Sequence, residues 1–341
     1  MKALVYTGPL KVEVLEVSEP VSKAGCLKIK MTYCGICGSD IGIYLGGHPR
    51  AKAPLVLGHE FVGEVVDAAQ SQRGFKNGDR VVTYPLISCG YCLPCRTGNA
   101  HVCRTLGLIG IDTDGGICES AYIDENVLFK VPENLSDKAA AVVEPLAVIV
   151  RTIHQARFKA LDSAVIIGAG PIGQLTALAL KHMGVSKVFI SDLDPVRLQK
   201  AARYGAIPVC TKDESLIDAV YAATEGEGVD VVFECSGAES AAIEMTKLVR
   251  IGGTVCMTAV HKKPHLVNLQ ELNFREVTLV GSRVYTKEEF KSAVAFAAEI
   301  SDELETLVSH IVPLRDSDKV FDMIKDPTLG TVKVLVDCTQ I

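Results

Sequence analysis

The segment 163–175, SAVIIGAGPIGQL, decides the fold of the second half of this 341-residue chain. Its first five residues form a largely apolar run, typical of a strand that is buried on both faces. Glycines with G-x-G-x-x-G spacing follow directly, and Pro171 stands where the first turn of a helix would begin. Without further context, the glycines could instead mark a plain strand-to-helix turn, because glycine occurs in many tight turns.

The next strand provides the context that predicts a dinucleotide site. KVFISD ends in Asp192, nineteen residues after Gly173, where an acid can hydrogen-bond an adenosine ribose. Gly168 would make the turn, Gly170 would admit the pyrophosphate, and Gly173 would let helix and strand pack closely. An acid at this position repels a 2′-phosphate, which favours NAD over NADP. Arg197 is close enough in sequence to bind such a phosphate and so leaves NADP open. Its alternative is a solvated residue on the following helix. The residues assigned to the cofactor are Gly168, Gly170, Pro171, Ile172, Gly173, Asp192 and Arg197.

Two kinds of sequence divide the chain. From residue 163 onward, apolar strands such as VDVVFECSG alternate with helical stretches such as PIGQLTALALKHM, which predicts an α/β fold with a doubly wound parallel sheet. From residue 1 to about 146, short apolar runs broken by glycine and proline predict an irregular β-barrel or sandwich. A helix and a strand after about residue 281 either complete the first domain or cap the second.

Composition and charge exclude several classes of function. The net charge is −6 and there is no basic stripe, so we expect no nucleic-acid partner. The longest apolar stretch, 164–180, contains three glycines and a proline, so we expect no membrane span. The opening residues MKALVYTGPLKVEVLEV resemble a strand pair more than a signal peptide, and we therefore expect a cytoplasmic protein.

Four cysteines lie within fifteen residues, in the run CGYCLPCRTGNAHVC. Two-residue gaps between the first three, and a fourth after seven more residues, suit a tetrahedron around Zn²⁺. The alternative, a disulfide cluster, needs an oxidising compartment that nothing in the sequence indicates. Four thiolates leave no open coordination position, so this zinc would be structural. Its ligands would be Cys89, Cys92, Cys95 and Cys103.

A second set of donors has the open arrangement of a catalytic metal site. Cys37, the pair His59 and Glu60, and Glu144 offer a thiolate, an imidazole and carboxylates, and three protein ligands with an exchangeable fourth make a Lewis acid. Spacing alone leaves other interpretations open. His59 could be a core histidine, Glu60 a surface charge and Glu144 the cap of a helix. Cys34 forms a C-x-x-C pair with Cys37, but no thioredoxin-type context supports a redox dithiol.

Five strings occur in an order that resembles a known family: CGICGSD, LGHEFVGEVV, the cysteine lobe, VEPLAV and VIIGAGPIGQL. The chain resembles zinc-dependent medium-chain dehydrogenases, above all the polyol (sorbitol) and threonine dehydrogenase branch and its bacterial sugar-acid (hexonate) dehydrogenases. The resemblance covers essentially the whole chain. It implies a GroES-like, β-rich catalytic domain at 1–146 with a structural zinc lobe at 89–103, a Rossmann NAD-binding domain at 147–285, and a C-terminal return at 286–341 that completes the catalytic domain.

The same resemblance implies roles for the second donor set. Cys37, His59 and Glu60 would bind the catalytic zinc, and Glu144 would bind it directly or through its water. The alcohol dehydrogenase branch has a cysteine in place of Glu144, so the carboxylate favours the polyol branch. Ser39 matches the hydroxyl that begins the family's proton relay.

One position departs from the family pattern. Many polyol and threonine enzymes carry a histidine five residues after the zinc cysteine, where this chain has Gly42. His48, in the loop LGGHPRAKAP, could replace it, although a lone loop histidine is often incidental.

The implied reaction transfers hydride from a secondary alcohol to NAD, with one catalytic and one structural zinc per chain. Arg283 and Tyr285 lie in GSRVY, a segment that reaches the substrate in this family. Arg283 would pair with a substrate carboxylate, or instead with a protein acid or the cofactor. We expect a small polyhydroxy substrate, preferably a hexonate such as galactonate or gulonate, with L-threonine and neutral polyols of the sorbitol or butanediol type as alternatives.

Other classes of function explain the motifs less well. A zinc-bearing sensor of the NAD redox state would have no use for the open donor set, and zinc-free quinone reductases of this fold usually lack the cysteine lobe. The resemblance also implies a homotetramer or homodimer, with strand pairing between nucleotide domains.

Overall fold

The computed structural model describes all residues from 1 to 341 and contains two compact units. The first unit comprises Met1–Ala147 together with Tyr285–Ile341, and the second comprises Val148–Val284. The C-terminal segment thus belongs to the first unit, and Tyr285 belongs with it.

The strands fall into three groups along the chain. Those of the first segment are β1 (Lys2–Gly8), β2 (Lys11–Glu16), β3 (Cys26–Gly35), β4 (Leu55–Val56), β5 (Glu60–Asp67), β6 (Arg80–Thr83), β7 (Leu86–Ile87), β8 (Gly107–Leu108), β9 (Ser120–Asp124) and β10 (Leu128–Lys130). Those of the second unit are β11 (Ser163–Ile167), β12 (Lys187–Asp192), β13 (Ile207–Cys210), β14 (Val229–Glu234), β15 (Val249–Met257) and β16 (Thr278–Gly281). The return contributes β17 (Val308–Pro313) and β18 (Lys333–Asp337).

The helices range in length from four to fourteen residues. They are α1 (Gly38–Tyr44), α2 (Leu93–Arg96), α3 (Asp137–Ala140), α4 (Val143–Ala156), α5 (Pro171–His182), α6 (Pro195–Ala202), α7 (Leu216–Ala223), α8 (Glu239–Leu248), α9 (Leu269–Phe274), α10 (Lys287–Glu299), α11 (Ser301–Glu305) and α12 (Val320–Lys325). None of them is long and apolar enough to cross a bilayer.

The largest sheet of the first unit has seven strands in the order β10-β6-β5-β3-β18-β17, with β9 also paired to β3. β3 is ten residues long and shows the two-residue alternation of a sheet with one buried face. Leu27, Ile29 and Met31 are buried, whereas Lys30 is exposed. The sheet includes β18 from the return, so residues far apart in sequence complete it.

The second unit is one parallel sheet of six strands in the order β13-β12-β11-β14-β15-β16. The order reverses between β11 and β14, as in a sheet built from two mononucleotide-binding halves. Val165 of β11, Phe189 of β12 and Met245 of α8 lie in one buried cluster, each at most 2% exposed. The predicted α/β fold with a doubly wound parallel sheet is confirmed.

The first turn of this sheet needs glycine at two positions for steric reasons. Gly168 has φ +103°, a conformation that favours glycine, and a Cβ at Gly173 would collide with the carbonyl oxygen of Gly168. A Cβ at Gly170 would meet nothing within 4 Å. Close packing of helix on strand therefore depends on Gly173, whereas Gly170 borders open space.

We predict that Gly173→Ala lowers the thermal unfolding midpoint by at least about 3 °C, because overpacking costs about 1–3 kcal/mol. Gly170→Ala is the matched control and should leave the midpoint unchanged within about 1 °C. Differential scanning calorimetry of the two variants tests this; equal midpoints would contradict the steric argument.

Candidate functional site

Strand pairing brings the predicted catalytic donors together. β3 and β5 are antiparallel, and Gly35 at the end of β3 pairs with Glu60 at the start of β5. Cys37 follows β3 as the N-cap residue of α1, and His59 directly precedes β5. One donor atom from each of Cys37, His59 and Glu60 lies within 4.8 Å of the others, so these three residues could hold a metal ion.

The charges around this cluster favour a cation. Asp40 is fully buried, its Oδ1 lies 3.8 Å from His59 Nδ1, and neither atom has a hydrogen-bond partner. Burial lowers the pKa of His59, but the charges of Asp40 and Cys37 outweigh it and hold that pKa well above its usual value. Burial in turn raises the pKa of Asp40, an effect that His59 partly opposes. Sulfur, nitrogen and oxygen donors of this kind suit zinc, and a carboxylate behind the histidine suits a ligand whose ring must be held in place.

A buried lysine completes the surroundings of Glu60, and sequence reasoning missed it. Lys333 of β18 is 4% exposed and forms an ion pair with Glu60, while its Nζ also donates to the carbonyl oxygen of Ile36 at 3.1 Å. The sequence does contain a signal for this ion pair. Lys333 lies between apolar residues in TVKVLVD, and a lysine is almost never fully buried without a partner. Its partner could not be named from the sequence, since 273 residues separate the two.

Glu144 stands apart from the three-donor cluster. It lies in the first turn of α4, is 8% exposed, and is not among the donors that lie within 4.8 Å of one another. Tyr285 donates a hydrogen bond from its phenol to Glu144 Oε1. Burial raises the pKa of Glu144 to about 7, and it also holds the pKa of Tyr285 well above the usual value, which keeps the phenol protonated. Tyr285 itself is fully buried, so the structure gives it a protein carboxylate as partner where the sequence suggested a substrate contact.

The four-cysteine lobe has the spacing of a tetrahedral thiolate site. Its sulfurs lie 3.4 Å apart for Cys92 and Cys95, 3.8 Å for Cys92 and Cys103, and 3.9 Å for Cys89 and Cys95. Ligands at 2.3 Å from one zinc ion would be separated by about 3.8 Å. All four cysteines are free, which excludes the disulfide alternative in this structure.

Backbone amides prepare this lobe for thiolates. Cys103 Sγ accepts from the backbone N–H of Cys89 at 3.3 Å and of Thr105 at 3.4 Å. These donors lower the pKa of Cys103 to about 6, so its thiol is largely ionised at neutral pH. Burial raises the pKa of Cys95 to about 11, and its hydrogen bonding with the sulfur of Cys92 acts in the same direction.

In the second unit the predicted cofactor residues meet at the carboxyl ends of β11 and β12. Gly170 is the N-cap of α5, and Pro171 begins that helix, followed by the half-buried Ile172. Asp192 Oδ2 accepts from the backbone N–H of Ala169 at 2.7 Å, and Oδ1 accepts from Asp194 at 2.9 Å. Each oxygen retains capacity for a ribose hydroxyl. Arg197 lies on α6 and its Nε is 3.6 Å from Asp194.

Buried polar atoms without hydrogen-bond partners lie near the carboxyl ends of β14 and β15, in the other half of the sheet. Glu234 Oε2 at the end of β14 lies 3.0 Å from His261 Nε2, whereas Thr258 Oγ1 after β15 and the Nδ1 of the same histidine are buried and have no hydrogen-bond partner. Such groups usually find one, so their grouping fits a polar ligand at this edge of the sheet. Sequence reasoning missed Glu234, although a glutamate at the end of the apolar run VDVVFE was a visible signal.

The remaining predicted residues have separate placements. Ser39 Oγ is 3.4 Å from His59 Nε2, beside the donor cluster. Nδ1 of His48 accepts from the backbone of Arg50 and Ala51 at 3.4 and 3.3 Å, so its ring caps a local turn. Arg283 is exposed in the second unit, two residues after the end of β16.

Comparison with known proteins identifies the family. Residues 23–133 match the alcohol dehydrogenase GroES-like domain, and residues 171–299 match the zinc-binding dehydrogenase domain. The chain is 34% identical, over 99% of both chains, to 2-dehydro-3-deoxy-L-galactonate 5-dehydrogenase from Pseudoalteromonas atlantica. It is 35% identical to sorbitol dehydrogenase from Halalkalibacterium halodurans, covering 98% of this chain and 99% of that one.

Among solved structures, a zinc-binding dehydrogenase from Sinorhizobium meliloti bound to NADP superposes with a TM-score of 0.92, at 31% identity over 98% of each chain. The chain belongs to the zinc-binding, medium-chain alcohol dehydrogenase family. It is an oxidoreductase of the polyol and threonine dehydrogenase-like branch, which confirms the predicted family and enzyme class.

We predict that Cys95→Ser reduces the zinc content from two ions per chain to one and lowers the thermal midpoint by at least about 5 °C, because the lobe then lacks a ligand. Cys210→Ser, at a half-buried cysteine outside both clusters, is the control and should keep both ions. Plasma mass spectrometry and calorimetry provide the measurements. Two retained ions and an unchanged midpoint in Cys95→Ser would show that the lobe is not a metal site.

Proposed function

We propose that this protein is a zinc- and NAD-dependent dehydrogenase that oxidises a secondary alcohol of a sugar acid, with a hexonate as the preferred substrate. The observation that carries the proposal is the convergence of Cys37, His59 and Glu60 in a family whose members oxidise alcohols. A zinc ion held by these residues would supply Lewis acidity, which lowers the pKa of an alcohol. The four-cysteine lobe would hold a second, structural zinc.

The chain's own residues would manage the proton and the orientation of the donors. Ser39 Oγ, which lies 3.4 Å from His59 Nε2, would accept the substrate's proton and pass it to the cofactor ribose. Asp40 would orient the His59 ring from its other side, and Lys333 would hold the Glu60 carboxylate in position. The hydride transfer itself is chemistry of the cofactor, so the protein's part is positioning and exclusion of water.

NAD is the cofactor we propose, in preference to NADP. The Asp192 carboxylate is fixed by two backbone N–H groups at the edge of the crevice, where a 2′-phosphate would meet its negative charge. The Arg197 guanidinium could attract a 2′-phosphate, but the nearby Asp194 carboxylate offsets part of its positive charge. The similar dehydrogenase from Sinorhizobium meliloti is bound to NADP, so NADP stays as the alternative cofactor.

Two observations support a sugar acid over a neutral polyol or L-threonine. The name of one relative, 2-dehydro-3-deoxy-L-galactonate 5-dehydrogenase, provides the first, and the exposed Arg283 in GSRVY provides the second. A guanidinium can bind a carboxylate through two parallel hydrogen bonds. Sorbitol and threonine dehydrogenases are also similar over most of the chain, so both substrates stay as alternatives.

We also propose a homodimer, or a homotetramer built from such dimers, that forms through the edge of the second unit's sheet. β16 is an edge strand of that sheet. Exposed apolar side chains accompany it in the same unit: Val260, Leu266, Leu269 and Phe274. An unpaired edge with apolar neighbours is a ready surface for a second copy.

We predict that Cys37→Ser lowers turnover with the best substrate by at least about 10³-fold, because the metal loses its thiolate ligand. The affinity for NAD, measured by calorimetry, should stay within about twofold of the wild type. Cys26→Ser, at a half-buried cysteine outside the cluster, should remain fully active. Full activity in a metal-replete Cys37→Ser protein would refute the assignment.

We predict that a panel of hexonates, polyols and L-threonine, followed by nicotinamide absorbance, gives the highest kcat/KM for a hexonate. In Arg283→Ala the KM for that hexonate should rise by about 10- to 100-fold, the scale of a charge-assisted hydrogen bond, while values for neutral polyols change little. Arg315→Ala, at another exposed arginine, is the control. An unchanged KM for the hexonate would remove the carboxylate role of Arg283.

A further inference from the structure

Glu144 presents a chemical problem that the three-donor cluster does not resolve. A buried carboxylate beside a zinc site is a strong potential ligand, and the charges of His59 and Glu60 both act on it. A fourth protein ligand would close a tetrahedral site and leave no position for a substrate. The Glu144 carboxylate nevertheless lies outside the group formed by Cys37, His59 and Glu60.

Tyr285 provides a physical reason for that position. Its hydroxyl donates to Glu144 Oε1, and the side chain has no exposed surface. If the carboxylate moved away, the phenol would become a buried donor without an acceptor, which is costly in a site closed to water. The hydrogen bond therefore opposes any movement that takes Glu144 Oε1 away from the Tyr285 hydroxyl.

The tyrosine ring is itself held firmly. Tyr84 contacts it edge-on with ring centroids 5.8 Å apart, and Phe290 lies at 5.6 Å. Tyr285 also directly precedes Thr286, the N-cap of α10, whose capping box fixes the chain at that point. These contacts hold the Tyr285 ring in place. A residue that positions another side chain needs such support.

We propose that Tyr285 is a positioning residue, whose hydroxyl holds the Glu144 carboxylate away from the metal and so keeps the fourth coordination position open for the substrate hydroxyl. The inference rests on the proposed function, because it needs a metal at Cys37, His59 and Glu60. It assigns to Tyr285 a role in the reaction that involves no contact with the substrate. It also makes Glu144 a carboxylate of the site that is not a metal ligand in the resting enzyme.

The test uses the full-length enzyme with Co²⁺ at the Cys37 site and zinc retained in the lobe, because the visible spectrum of Co²⁺ reports its ligands. In Tyr285→Phe we expect Glu144 to become the fourth ligand. The Co²⁺ spectrum should then change and respond to added substrate only at about tenfold higher concentration, and loss of the metal to a chelator should slow by at least about tenfold. The KM should rise by about tenfold with kcat within about twofold, since substrate must now displace a carboxylate.

Two further variants make the result specific. Tyr84→Phe removes a hydroxyl from the same aromatic group and should leave the spectrum, metal retention and KM unchanged. Tyr285→Phe combined with Glu144→Gln should return the spectrum and metal retention to those of the wild type, because the amide is a poor ligand. An unchanged spectrum in Tyr285→Phe, or the same change in Tyr84→Phe, would overturn the positioning role.

A second measurement does not depend on the folding of Tyr285→Phe. Glu144→Gln alone should leave the Co²⁺ spectrum of the resting enzyme unchanged if Glu144 is held away from the metal. A changed spectrum would show that Glu144 is already a ligand and would overturn the inference. If the wild type takes up no metal at the Cys37 site, the proposed function fails instead, which is a separate outcome.

Discussion

The pairing of β3 with β5 is the interaction on which the candidate metal centre depends. It sets Gly35 opposite Glu60, so that the residues just past the end of one strand meet those at the start of the other. A register shift of one residue would turn Glu60 to the opposite face of the sheet and separate it from Cys37. Backbone hydrogen bonding therefore positions donors that are more than twenty residues apart in sequence.

Charge balance is the second constraint on this centre. Asp40, His59, Glu60 and Lys333 are all buried in the first unit, where an unpaired charge would be costly. Lys333 neutralises Glu60, and Asp40 lies behind His59. Two buried atoms of this arrangement, Asp40 Oδ1 and His59 Nδ1, have no hydrogen-bond partner and lie 3.8 Å apart.

Local contacts are the part of the site that can be predicted from the sequence. The G-x-G-x-x-G turn and the cysteine lobe each lie within fifteen residues, so spacing alone conveys their geometry. The ion pair of Lys333 and the hydrogen bond of Tyr285 to Glu144 could not be predicted, because the partners lie 273 and 141 residues away in sequence. His48 illustrates a different limit. Its ring accepts hydrogen bonds from the backbone of a local turn, and residue type alone cannot distinguish such a turn from a catalytic loop.

The most direct test of the proposed metal centre is anomalous diffraction at the zinc absorption edge from crystals of the purified protein. Two peaks per chain are predicted. One should lie among the sulfurs of the four-cysteine lobe, and the other within about 2.0–2.3 Å of Cys37 Sγ, a His59 ring nitrogen and a Glu60 oxygen. A peak in the lobe alone, with the sites of Cys37, His59 and Glu60 fully ordered and empty, would contradict a catalytic zinc in this enzyme.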